Sequence, residues 1–261
     1  MIQRSMRKLG LVLIIASGIL AAQFAAAKVI ATDEFADGST RPVSVVVLPS
    51  QVSLVKQKII RTESQVEESG DLEPHLTAAV VEQFRSHGYT VKVVDVDAIS
   101  ADPALQELIV DANRRFDELM TNVGSRLSKS KNVRNREYNA GDEAKLLAAR
   151  LGVDALAFAR MQIIAPAAGV RALNFGIGGE QSMLTVTVVD GITGDVEAYI
   201  TLPVGGRSKA FGGHDEIVEN PDVEMAKYAA ATLEDIPNAD PSLRAETSAE
   251  GVISDLESLL E

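Results

Sequence analysis

Between Val43 and Leu202 the chain alternates between two hydrophobic periods, and that alternation is the strongest constraint on its fold. Val43 to Leu48 is a short, largely β-branched run closed by Pro49, the pattern of a strand buried on both faces. Asp71 to His87 then carries Leu72, Leu76, Val80 and Phe84 at every fourth position, one apolar stripe of a helix. Asp71 is placed to cap this helix, Pro74 suits a first turn, and Gly88 suits its end. Tyr89 to Val96 returns to an apolar strand pattern through Tyr89, Val91, Val93, Val94 and Val96. Strand, helix, strand predicts a parallel pair joined by a crossover.

The rest of the chain extends this alternation. Residues 50 to 70 carry weaker signals: Val52, Leu54 and Ile59-Ile60 fit an extended arm or a second strand, and Gln65 to Gly70 reads as a charged loop. Pro103 to about Ser128 predicts a long helix with Leu105, Leu108, Ile109, Ala112, Phe116, Leu119, Met120 and Val123 as its stripe. A further helix is expected near Asn139, where Asn139 and Asp142 resemble a capping box, with Leu146, Leu147 and Leu151 facing the core and Gly152 closing it. Asp154 to Ile164 is the third strand. Ser182 to Val189 and Val196 to Leu202, joined by the Gly/Asp turn from Asp190 to Asp195, predict an antiparallel hairpin. Asn220-Pro221 opens a last helix to about Leu233.

The expected fold class is therefore α/β. It has a mixed sheet with a strand–helix–strand start, long helices, a C-terminal antiparallel hairpin, and helices packed on the sheet. Residues 42 to 236 are expected to form a single α/β domain, residues 28 to 41 a flexible leader, and residues 237 to 261 an acidic polar tail. A short amphipathic helix in that tail would use Val252, Leu256, Leu259 and Leu260.

The first 27 residues have the three-part pattern of a signal peptide. Arg4, Arg7 and Lys8 form a positive start, Leu9 to Leu20 an apolar run, and Ala25-Ala26-Ala27 a small-residue cleavage site. A periplasmic or secreted location follows after cleavage; the alternative is a membrane anchor left uncleaved. The chain has no cysteine, so it folds without disulfides and has no cysteine to acylate. Its hydrophobic content of 46% over 261 residues supplies a core. The formal charge is −12, and 13 acidic against 2 basic residues fall between Asp215 and Glu261. Such a surface does not attract nucleic acid.

Chemical signatures are sparse. His75 and His87 are more than three turns apart on one helix and cannot share a metal. His214, beside Asp215 and Glu216 in a glycine-rich loop, is a candidate base or ligand and supports one alternative, an exported hydrolase. Ser53 to Lys56 and Ser128 to Lys131 fit Ser-x-x-Lys without the companion motifs of penicillin-recognising enzymes. The glycines at Gly176, Gly178 and Gly179 do not make a dinucleotide fingerprint, and no cofactor or catalytic set is expected.

Two surfaces stand out as binding candidates. Arg126, Lys129, Lys131, Arg134 and Arg136 form a basic band on an acidic chain. It either docks an acidic partner or solvates a helix end. Residues 165 to 181, with Val170, Leu173, Phe175 and Ile177 among glycines and alanines, are either a lip touching membrane or another subunit, or a buried crossover.

Several local motifs resemble those of a broad group of bacterial envelope proteins. They are Val43 to Pro49, Gly88-Tyr89 before a strand, Ala148 to Leu156 at a helix-to-strand junction, and Val188 to Asp195 at the hairpin. That group includes the curli-secretion lipoprotein, the lipoprotein activators of penicillin-binding proteins, and many secreted proteins. The resemblance covers about residues 43 to 202 and implies fold and compartment rather than catalytic residues. Its lipoproteins carry an acylated cysteine, which this chain lacks. The expected function is that of an exported, non-enzymatic envelope protein that binds or assembles with an envelope protein or cell-wall component. The other alternative is a subunit of an oligomeric secretion or membrane-associated complex, a homo-oligomer included, touching membrane through 165 to 181.

Overall fold

The computed structural model describes residues 27–39, 42–57, 62–94, 96–127, 130–166, 180–205 and 211–240. The elements in chain order are β1 (Lys28–Ala31), α1 (Asp33–Asp37), β2 (Ser44–Val47), β3 (Gln51–Gln57), β4 (Thr62–Ser64), α2 (Val66–Ser86), β5 (Thr90–Val93) and α3 (Val96–Ala101). They continue with α4 (Pro103–Leu127), α5 (Ser130–Arg134), α6 (Asp142–Leu151), β6 (Ala155–Pro166), β7 (Gln181–Asp190), β8 (Val196–Gly205), α7 (His214–Glu219) and α8 (Pro221–Leu233). The fold is α/β, with one eight-stranded mixed sheet. Among the described residues no helix is long and apolar enough to cross a membrane.

The sheet is organised around β6. Its first half pairs in parallel with β2, which pairs in parallel with β5. Its second half pairs in parallel with β3. β2 and β3 are thus two pieces of one path along β6, offset at Leu48-Pro49-Ser50. On the other side β6, β7, β8 and β1 follow in antiparallel order.

Side-chain alternation divides the core into two layers. Val45 and Val47 of β2, Ala157, Met161 and Ile163 of β6 and Val186 of β7 pack with α2 and α8 through Leu76, Val80, Phe84, Met225 and Tyr228. Val46, Leu48, Leu156 and Phe158 face the opposite way, onto Ala112 and Phe116 of α4 and Leu147 of α6. β2, with helices on both faces, therefore reads as an unbroken apolar run.

The edge of β3 away from β6 is paired with β4 over Val55–Gln57 and closed by a helix before that. On α2, Ser69, Glu73 and Thr77 lie four residues apart and so share one face. Their oxygens accept the N–H groups of Leu54 at 3.0 Å, Val52 at 3.3 Å and Ser50 at 2.9 Å. A helical step of four matches a strand step of two, and three backbone donors that would template further strand pairing are taken.

Several local expectations are corrected. Residues 28 to 41 are not a free leader: β1 pairs with β8, and α1 buries Phe35 completely. Thr32 caps α1, its Oγ1 accepting the Phe35 N–H at 3.2 Å. Gln65 to Gly70 is not a loop, because α2 begins at Val66; Asp71 lies inside the helix and caps nothing, and Pro74 is within it rather than in its first turn. The β5 strand stops at Val93, and Val96 starts the short helix α3. Asn139 is not the cap of α6; Gly141 holds that position and Asn139 Oδ1 accepts its N–H. Pro221 opens α8 as expected, but Asn220 makes no side-chain cap. The domain extends past 236, since Ala239 N–H donates to His87 O at 2.9 Å.

Candidate functional site

The two faces of the sheet are covered unequally. Beyond Phe158 the face of β6 that meets α4 changes from apolar to polar, with Arg160 and Gln162. β7 places Met183 and Thr185 beside them, paired in register with Gln162 and Arg160. The result is a cleft of about 1040 Å³ between the sheet and α4. Its floor is Gln51 and Ser53 of β3, Arg160 and Gln162 of β6, Met183 and Thr185 of β7 and Tyr199 of β8. Its wall is Ile109, Val110, Asn113, Arg114, Asp117 and Met120 of α4.

The corner where wall meets floor is rigid. Phe116 stacks on Phe158 with ring centres 4.1 Å apart and planes 15° apart. The Arg160 guanidinium lies 4.7 Å over the Phe116 ring and pairs with Asp117. Arg114 is engaged by Asp111 and Glu118, each at 3.0 Å. Both cleft arginines are thus charge-matched, which suits a neutral or apolar occupant better than a free anion. Met183 is 40% and Val110 59% exposed, so the cleft has apolar surface on both sides. Burial pushes the Tyr199 phenol up, partly opposed by its hydrogen bond with Thr185; it remains protonated at neutral pH.

The cleft does not bring together the Ser-x-x-Lys pair that the sequence offers. Ser53 faces the cleft, whereas Lys56, three residues along the strand, points to the opposite face and lies 3.5 Å from Glu68. A strand therefore separates the two partners of the Ser-x-x-Lys pattern. None of the three histidines lines the cleft. Among the described residues no group of three or more metal-capable side chains occurs.

His214 does not lie in a loop. It is the first residue of α7 and is 8% exposed. Its Nδ1 is 2.8 Å from Asp215 Oδ1 and its Nε2 is 3.4 Å from Glu68 Oε2. The N–H groups of Gly212, Gly213 and His214 donate to Glu224, Glu216 and Glu180 at 2.7, 2.9 and 2.8 Å. A Cβ at Gly212 would sit 2.7 Å from the Glu224 carboxylate. Its contacts are carboxylates rather than a hydroxyl nucleophile, so the geometry gives the hydrolase alternative no support.

Two residues of the basic band, Arg134 and Arg136, lie against the chain's own acids. Arg134 lies 3.5 Å from Asp33. Arg136, at a left-handed φ of 53°, reaches Glu34 at 3.8 Å, Asp195 at 3.9 Å and Glu197 at 3.5 Å. Lys131 is exposed on α5. The side chain of Arg126 and all of Lys129 lie outside the described residues, as do Val170, Leu173, Phe175 and Ile177. The signal pattern at residues 1 to 26, residues 206 to 210 and the segment from 241 onward are also outside them.

The cleft itself went unread in the sequence. Its one available signal was the alternation of Thr185 and Thr187 on one side of β7 against Leu184, Val186 and Val188 on the other.

No protein-family model matches the chain, and no curated protein matches it in sequence. Solved structures do match. A PelC dodecamer from Paraburkholderia phytofirmans is similar at 12% identity and TM-score 0.38, over 83% of this chain and 100% of that one. Lipoprotein GNA1162 from Neisseria meningitidis is similar at 12% identity and TM-score 0.30, over 70% of this chain and 94% of that one. The LpoB C-terminal domain from Salmonella enterica is similar at 11% identity and TM-score 0.26, over 67% and 95%. At these scores and identities the likeness carries nothing about what this chain does.

Proposed function

We propose that this chain is an exported, non-enzymatic cell-envelope protein that binds another envelope component, with the cleft between α4 and the sheet as its docking surface. The observation that carries the reading is the uneven covering of the sheet. One face of β6–β8 is covered by α2 and α8, while among the described residues the other ends in a cleft with Met183 of its floor and Val110 of its wall exposed. Apolar surface left on a folded domain between polar residues is the usual mark of a binding site. The signal-like pattern of the first 27 residues and the motif resemblance support the compartment.

A crosslinking capture from the native envelope, with tagged wild type beside a Met183→Asp, Val110→Asp variant, tests this reading. Both side chains are exposed, so the variant should keep its stability within about 0.5 kcal/mol. Capture of a defined envelope component by wild type, reduced about tenfold or more in the variant, is the expected result. Equal capture by both removes the cleft as the surface, and no specific capture by wild type removes the binding function.

A further inference from the structure

All three histidines of the chain lie along one seam. It runs between α2 and the C-terminal segment that carries α7 and α8. His75 of α2 places Nδ1 2.6 Å from Asp222 Oδ1 of α8. His87, the C-cap of α2, places Nδ1 3.2 Å from Asn238 Oδ1. His214 of α7 reaches back from the other side, its Nε2 3.4 Å from Glu68 of α2. Two of these contacts bring an imidazole against a carboxylate across the seam; His87 meets a neutral amide.

His214 has a carboxylate at each ring nitrogen, Asp215 at Nδ1 and Glu68 at Nε2. A neutral imidazole has one N–H and one lone pair, so it can donate to only one of them; the imidazolium donates to both. Nε2 and Glu68 Oε2 are both buried and make no aligned hydrogen bond with each other. With its one proton on Nδ1 an uncharged ring leaves a buried acceptor facing a buried acceptor at Glu68; with the proton on Nε2 it leaves the Nδ1 lone pair facing Asp215, and the imidazolium relieves both. Imidazole is the side chain that changes charge between pH 5 and 8, a range in which carboxylates ordinarily stay ionised.

The charged neighbours are mostly acids. Asp215 and Glu216 lie on α7 itself. Glu180 precedes β7 and takes the His214 N–H, and Glu224 of α8 takes the Gly212 N–H. The cations are Lys56 of β3, 3.5 Å from the same Glu68 oxygen, and Lys227 of α8, paired with Glu224 at 2.6 Å. His75 faces Asp222 across the seam and has Asp71 one turn back on its own helix. We propose that His75 and His214 form a proton-operated clasp that fastens α7 and α8 to α2 in mildly acidic surroundings and slackens as the pH rises past neutral.

Hydrogen exchange of the full chain tests the clasp. It is read on peptides from α8 and from the centre of β6–β8 at pH 5.5 and 7.5, and corrected for the intrinsic exchange rate. Protection of α8 is expected to fall by about threefold or more from pH 5.5 to 7.5, relative to the sheet. In a His75→Gln, His214→Gln variant that ratio is expected to match the sheet's. Equal α8 protection at both pH values in wild type, or a wild-type ratio retained in the double variant, overturns the proposal. If the double variant loses its sheet protection, the surface variants His75→Gln and Asp222→Asn are read instead. Each must lower the ratio, and a full ratio in either overturns the clasp.

Discussion

Asp154 holds Ser44 through four hydrogen bonds, one of them its own N–H donating to Ser44 O at 3.1 Å. Its Oδ2 accepts the Ser44 N–H at 2.7 Å and the Ser44 hydroxyl at 2.8 Å, while Ser44 Oγ accepts the Asp154 N–H at 2.9 Å. The same oxygen takes the Val43 N–H at 3.0 Å. The residue that ends the α6–β6 junction thereby fixes where β2 enters the sheet beside β6. Replacing Asp154 by alanine orphans donors at a part-buried strand end and should cost about 2–3 kcal/mol. Asp154→Asn, which keeps one acceptor oxygen, should lose less. Urea denaturation of the two variants checks the order, and equal losses would show that the acceptor is not what holds the junction.

Ser69 supplies a second test of how the sheet is closed. It is 7% exposed, accepts the Leu54 N–H at 3.0 Å and donates to Gln65 O at 2.5 Å. Ser69→Ala leaves the Leu54 donor buried without a partner and should destabilise by about 1–3 kcal/mol. The exposed neighbour Gly70 has open space around it, and Gly70→Ala should instead be neutral to stabilising by up to about 1 kcal/mol in this helix interior. Thermal unfolding of both, with a loss at 69 and none at 70, separates edge capping from a general intolerance of the segment.

What the sequence revealed and what it hid divide along the same line. The stripe of Leu72, Leu76, Val80 and Phe84 and the run Val43 to Leu48 were legible because burial writes itself as hydrophobic period. The start of α2 was not. Ser69 and Glu73 are polar because they serve β3, and a polar first turns looks like a loop until its partner strand is known. β1 was hidden for a similar reason: four residues with alternating exposure gain their meaning from β8, far along the chain. Arg134 and Arg136 read as a free basic band because their acids, Asp33, Glu34, Asp195 and Glu197, are distant in sequence. The cleft is a property of how the middle of α4 lies against the polar half of β6, a relation between distant segments that no local pattern records.

Phe116 is the corner post of the cleft. It is 1% exposed, stacks on Phe158, and carries Arg160 over its other face. Phe116→Ala removes a full aromatic side chain from the core and should cost about 3–5 kcal/mol. Phe116→Leu retains most of the volume while losing the stacking and the seat for the guanidinium, and should cost about 1–2 kcal/mol. The leucine variant is the informative one. It should fold with the cleft floor altered at Arg160, so captured partner should fall while the denaturation midpoint shifts only modestly. Unchanged capture would mean that the Arg160 corner lies outside the contact.

Glu197 gives the chain a defined pH response at its other edge. It is 1% exposed on β8, and its Oε2 accepts the Thr32 hydroxyl at 2.5 Å, which ties the α1 cap to the sheet. Burial pushes its carboxyl above the ordinary value, and neither the Thr32 hydrogen bond nor Arg136 at 3.5 Å offsets that effect. The folded protein therefore holds this proton more tightly than the unfolded chain does. The ionised group costs stability above its folded pKa, and the cost is relieved as pH falls through that value toward the unfolded value of about 4.3. Glu197→Gln keeps an acceptor for Thr32 and cannot ionise. The stability of wild type relative to this variant should accordingly rise as the pH is lowered from 7 to about 4.5, by urea denaturation at each pH. A difference that stays flat, or that moves in favour of the glutamine, would show that Arg136 rather than burial governs the site.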